Sequence, residues 1–134
     1  MKFTKEQAIA EHRKMWNWIA DQLDNGAESD IYILKEQYCY DNNFHIMHNC
    51  FCCAYDAQFV QKYSCKRCPV LWGTEGIRSD FYCETGMDGD DYELSLDDEF
   101  GLWLIAQNLS EEQRFKEAAE IARQIANLPE NPEA

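Results

Sequence analysis

The sequence predicts a mainly helical domain, with helices at both ends of the chain and an irregular, cysteine-rich centre. Three observations carry this. Apolar residues recur at spacings of three and four near the start of the chain. They recur the same way near its end. Between the two lie turn formers and six of the seven cysteines. A chain of 134 residues has the length of one domain. Residues 1–134 therefore read as a single unit, with 13% aromatic residues to supply large core side chains.

The first helix opens at Thr4. Thr4 and Gln7 form a capping box, in which each side chain takes the other residue's backbone N–H. Ile9, His12, Trp16, Ile19 and Leu23 then make one mostly apolar stripe, widened by Met15. Gly26 suits the C-terminal cap. The second element runs from Asp30 to about Tyr38. Ile31, Leu34 and Tyr38 fit a helical face, and Ser29 or Asp30 caps it. Ile31-Tyr32-Ile33 is rich in strand formers, and a short helix is the favoured reading.

From Asp41 to Asp91 the period breaks down. Asn42-Asn43, Pro69, Gly73, Gly76, Gly86 and Gly89 punctuate the stretch. Ala54 to Tyr63 reads as a short helix or as the strands of a small β-hairpin. Helix resumes in the last third. Ser95 precedes Asp97, Asp98 and Glu99, which suit the positive end of a helix dipole. Leu96, Phe100, Trp103 and Gln107 share a face, with Leu104 beside it. Ser110 and Gln113 read as a second capping box. The closing helix carries the stripe Phe115, Ala118, Ala119, Ala122, Ile125 and Ala126, and Leu128-Pro129 stops it. Residues 129–134 are expected to fray.

The cysteines carry the chemistry. Cys50 and Cys53 form one C-x2-C pair, and Cys65 and Cys68 form another, with eleven residues between the pairs. Two such pairs deliver four thiolates to one tetrahedral zinc ion. Pro69 restricts the chain as it leaves the second pair. Cys83 is a fifth candidate that can replace Cys65. The expected site is thus one Zn²⁺ on four of Cys50, Cys53, Cys65, Cys68 and Cys83, within a zinc-binding segment at 42–90. Cys52 breaks the two-residue spacing and is left out, and Cys39 lies too far upstream. The ion would supply folding energy to a segment with little regular structure. The fold class is then mainly α, with terminal helices around a zinc-stapled irregular centre.

An iron–sulfur cluster is the rival use of four thiolates, but no tight three-cysteine run is present. A redox C-x2-C would need a surrounding βαβ pattern, which is absent. A catalytic zinc keeps an open position and favours histidine or carboxylate ligands. His45 and His48 precede Cys50, yet the deaminase pattern H-x-E with P-C-x-x-C is missing. Asp88, Asp90 and Glu99 have EF-hand spacing, but Glu93 stands where the loop needs glycine. No phosphate loop, nucleophile elbow or H-E-x-x-H helix occurs.

The net charge is −13. From Ser79 through Gln113 there is no Lys or Arg, and eleven carboxylates fall in that stretch. General affinity for nucleic acid or an anionic membrane is disfavoured by like-charge repulsion. A protein partner with a basic surface is the easier match. No run approaches a membrane span. The opening Met1–Glu6 has no apolar signal core, so the expectation is the cytoplasm, where thiols stay reduced.

Four stretches, "EHRKMWNWIA", "NCFCCAY", "CKRCPVLWG" and "EAAEIARQIANLP", resemble small uncharacterised cysteine-rich proteins of phages and prophages of Gram-positive bacteria. In that group the pattern resembles two C-x2-C pairs, a Pro-Val/Leu-x-Trp-like step and a further cysteine. The resemblance supports Cys50, Cys53, Cys65 and Cys68 as ligands, with Cys83 as the further cysteine, and makes Cys52 a departure. It implies a host-cell cytoplasmic location and carries no activity. The leading expectation is a non-enzymatic zinc-binding phage accessory protein. It would act by protein–protein contact through an acidic surface, as an inhibitor or modulator of a host or defence protein. The alternatives are a nucleic-acid-binding zinc module using Lys62, Lys66, Arg67 and Trp72, and a zinc-dependent hydrolase.

Overall fold

The computed structural model describes residues 2–46, 49–59, 68–70, 102–132 and 134. Among these residues the chain is mainly helical: α1 (Lys5–Asp24), α2 (Ile31–Asp41), α3 (Phe51–Asp56), α4 (Leu102–Glu111) and α5 (Phe115–Ala126). The regular β pairing among them is one isolated antiparallel bridge between Val70 and Glu130. The helix starting near Ser95, and the side chains of Leu96, Phe100, Trp103 and Leu104, lie outside what is described.

α1 begins as its sequence dictates. Thr4 Oγ accepts from Gln7 N–H at 3.1 Å, and Gln7 Oε1 accepts from Thr4 N–H at 2.9 Å. The stripe Ile9, His12, Met15, Trp16, Ile19 and Leu23 is buried along its whole length. α5 packs antiparallel on it through a face of small residues. Ala118, Ala119, Ala122 and Ala126 are fully buried, which lets the two backbones approach closely. Arg123 reaches Asp21 at 3.3 Å and Asp24 at 2.5 Å across that seam. Both pairs are exposed and add little to stability.

α2 is a helix, as the face of Ile31, Leu34 and Tyr38 predicts; all three are buried. Its first N–H groups are all satisfied, which explains why strand formers at its start do not override it. Ile31 N–H donates to Ser110 Oγ at 3.1 Å, and Tyr32 N–H to Gln107 Oε1 at 3.0 Å. Ile33 N–H donates to Asp30 Oδ1 at 2.9 Å, and Leu34 N–H to Asp30 O at 3.2 Å. The orphan donors of Ile31, Tyr32 and Ile33 thus find two partners on α4 and one on the cap side chain, and Leu34 makes the first regular bond of the helix.

The predicted capping box at Ser110 and Gln113 does not form. Ser110 lies inside α4, and its hydroxyl donates to Gln107 O at 2.8 Å while accepting from Ile31. Gln113 instead ends α4 in the left-handed region, with φ of 63°. Gln113 N–H bonds to Ser110 O and Arg114 N–H to Leu109 O, the paired bonds of a Schellman turn. α1 closes the same way at Gly26, and α2 at Asn43. Gly and Asn tolerate that conformation; a glutamine is strained there. Gln113→Gly is therefore expected to stabilise the fold by about 0.5–1 kcal/mol. A higher urea midpoint at unchanged m-value would show it, and a lower one would contradict it.

The core is continuous from α1 to α3. Phe51 is fully buried at the centre of an aromatic group, with ring centroids 4.8 Å from Phe44, 5.7 Å from Phe3 and 6.2 Å from Tyr38. All three contacts are edge-to-face, the favoured geometry for such rings. The chain's start is tied to α3 by a two-way clamp. Phe3 N–H donates to Gln58 Oε1 at 2.6 Å, and Gln58 Nε2 donates to Phe3 O at 2.9 Å.

Within residues 129–134, the stretch expected to fray, Asn131 is held in place. Asn131 is completely buried. Its N–H donates to Pro69 O at 2.8 Å and its Nδ2 to Cys68 O at 2.9 Å, beside the Val70–Glu130 bridge. The backbone of the Cys68 turn has acceptors that need partners once buried, and the tail supplies the donors.

Candidate metal centre

Asn49, in the left-handed region with φ of 51°, turns the chain into Cys50. Cys50 is the N-cap of α3, and its sulfur accepts from Cys53 N–H at 3.3 Å. This is the arrangement a C-x2-C turn is predicted to give: two sulfurs on one side, with a backbone amide aimed at one of them. Phe51 and Cys52 follow within the same turn, so Cys52 is carried inward as well. Cys68 arrives from the second pair, held from behind by Asn131.

The thiols of Cys50, Cys52, Cys53 and Cys68 form one buried group. Cys52 hydrogen-bonds with both Cys50 and Cys68, and Cys50 with both Cys52 and Cys53. The five described cysteines, Cys39 included, are thiols rather than disulfides. Among the described residues, no three His, Cys, Asp or Glu side chains already enclose a metal-sized position. The other predicted ligands, Cys65 and Cys83, lie outside the described residues. So do most of segment 42–90, His48, the carboxylates at 80–99, and Lys62, Lys66, Arg67 and Trp72. His45 is exposed on the loop before α3.

The electrostatics divide the group. Hydrogen bonds from the Cys52 and Cys53 thiols hold Cys50 well below the ordinary thiol range, helped by the charge of Lys35. Cys52 is pushed well above that range by the neighbouring Cys50 and Cys68 sulfurs and by burial. Burial pushes Cys39 up to about 11. Lys35 is itself buried on α2, with its Nζ 5.8 Å from the centroid of the Trp16 ring. A buried cation beside this group is the complement a negative metal–thiolate centre requires.

Comparison with protein-family models, with curated proteins and with solved structures gives no match. The site's chemistry therefore rests on its own residues.

Two of those residues escape sequence reasoning. His12 reads as a member of an apolar stripe, and Cys52 as a bystander. The structure buries both and brings them together, with His12 Nδ1 3.4 Å from Cys52 Sγ. Nε2 of the same ring lies 2.9 Å from the carbonyl oxygen of Ile125 on α5. Burial pushes His12 down to about 4, so the imidazole is neutral at pH 7. The only sequence signal was a lone histidine in the middle of an otherwise apolar helical face.

Proposed function

We propose that this protein is a non-enzymatic, zinc-binding accessory protein that works by contacting another protein. One Zn²⁺ on four thiolates drawn from Cys50, Cys53, Cys65, Cys68 and Cys83 staples the centre of the fold. The observation that carries the reading is the single buried thiol group formed by Cys50 and Cys53 of one C-x2-C pair and Cys68 of the other. The Cys53 N–H on the Cys50 sulfur supports a thiolate there, since amide donors stabilise that charge. The resemblance to phage proteins suggests the host cytoplasm as its place of action. No helix among the described residues is long and apolar enough to cross a membrane.

The zinc part is tested on protein purified under reducing conditions. One zinc per chain is expected, with a cobalt-substituted sample showing sulfur-dominated charge-transfer bands. Protein that carries no metal and takes up none contradicts it. The partner part rests on the charge of −13. A pull-down from host lysate is expected to recover a partner that is lost on charge reversal at Asp88, Asp90 and Asp91. An identical set of captured proteins with and without the reversal removes the acidic-surface reading.

A further inference from the structure

A groove of about 360 Å³ opens where α2 begins and α4 gives way to α5. Two of its lining residues are apolar: Ile33, which is 52% exposed, and Phe115, which is partly buried. Tyr32, next to Ile33 in the chain, is equally exposed. Three carboxylates, Glu28, Asp30 and Glu111, line the groove as well, and no lysine or arginine does. Among the described residues, none of the three is paired with a cation. Asp30 accepts from Ile33 N–H and Glu111 from Gln107 Nε2, both neutral donors. Arg114 follows Glu111 closely in the chain, but Glu112 and Glu117 hold it.

The walls are fixed before anything binds. Ile31 N–H on Ser110 Oγ and Tyr32 N–H on Gln107 Oε1 pin the start of α2 to α4. A partner therefore spends little free energy on ordering this surface. The bonds at Ile31, Tyr32, Ile33 and Leu34 also use up the first amide donors of α2, so that helix start offers no free N–H to an anion. α4 ends at the groove and adds the negative end of its dipole.

Charge and shape together select the occupant. Exposed apolar surface beside unpaired carboxylates matches an aliphatic stem that ends in a cation. Arginine fits better than lysine, because its planar guanidinium bonds carboxylates in pairs and stacks on an aromatic ring. A second copy of this chain is disfavoured by repulsion at a net charge of −13. We propose that the groove docks an arginine side chain of the partner protein, with Glu28, Asp30 and Glu111 around the guanidinium and Ile33 and Phe115 against its apolar faces. The proposal rests on the protein-contact reading above and adds a contact to the carboxylates at 80–99.

The test titrates the full, nitrogen-15-labelled chain with a blocked alanine peptide carrying one central arginine. A control peptide carries citrulline, which keeps the shape and lacks the charge. The arginine peptide is expected to shift the amide signals of Ile33, Glu111 and Gln113 saturably, and the citrulline peptide to leave them in place. Affinity for the arginine peptide should fall about two- to fivefold in Glu28→Gln and again in Glu111→Gln, the size expected of an exposed ion pair. Both side chains are exposed, so both variants should keep the wild-type circular dichroism spectrum. Signals unmoved by arginine, equal shifts with citrulline, or undiminished affinity in both variants overturns the groove. So does a captured partner that survives Glu28→Lys combined with Glu111→Lys, which leaves the protein-contact reading standing. An intact chain that captures no partner from host lysate overturns both.

Discussion

Cys68→Ser is expected to remove a large part of the folding free energy. A structural zinc ion contributes about 10–16 kcal/mol to small domains that depend on it, whereas whole domains are stable by only about 5–15 kcal/mol. If the proposed zinc is structural, losing one of its thiolates endangers the fold as a whole, not one turn of it. The effect should reach the helices, because Cys68 is joined through Cys52 to His12 on α1 and through its carbonyl to the tail beyond α5. Serine keeps the carbonyl that receives Asn131 Nδ2, so the substitution isolates the sulfur. Circular dichroism during urea unfolding measures it. Wild-type protein stripped with a chelator should fall to the level of the variant. If both melt like untreated wild type, the staple is wrong.

Phe51→Ala comes next in size. Phe51 is fully buried and touches Phe3, Phe44 and Tyr38 edge-on. Truncating such a ring costs about 3–5 kcal/mol through lost burial and the cavity left behind. The neighbours cannot collapse inward easily, because two of the three are anchored elsewhere: Phe3 by the Gln58 clamp, and Tyr38 by its hydroxyl donating to Glu11 at 3.1 Å. Metal content per folded chain should stay at the wild-type value, since Phe51 supplies no donor atom. Urea unfolding and metal analysis on the same sample separate the two effects. A loss below about 1 kcal/mol would mean the aromatic group repacks freely.

Much of the helical frame was legible in the residues. The Thr4–Gln7 box, the stripe from Ile9 to Leu23 and the alanine face of α5 are local patterns, and local patterns survive into the structure when packing agrees with them. Ser110 and Gln113 show where that fails. Their spacing satisfies a capping box, but Ser110 lies inside α4, where its hydroxyl donates to Gln107 O and accepts from the distant Ile31 amide. Asn131 was misread for the same reason: its partners are at Cys68 and Pro69, and nothing near it in sequence announces them. For the site, the pair spacing brought Cys50, Cys53 and Cys68 into view. His12 and Cys52 stayed hidden, since a histidine at a core position and a cysteine out of spacing gain meaning only when α1 is laid against α3.

The tie between Asn131 and the Cys68 turn spans 63 residues, and the one between His12 and Ile125 spans 113. Contacts of such high order form late, because much of the chain must be gathered before they return any free energy. During synthesis the cysteine turn is made well before its last donors leave the ribosome. A nascent chain stalled before Asn131 holds its thiols without the clasp that Asn131 supplies.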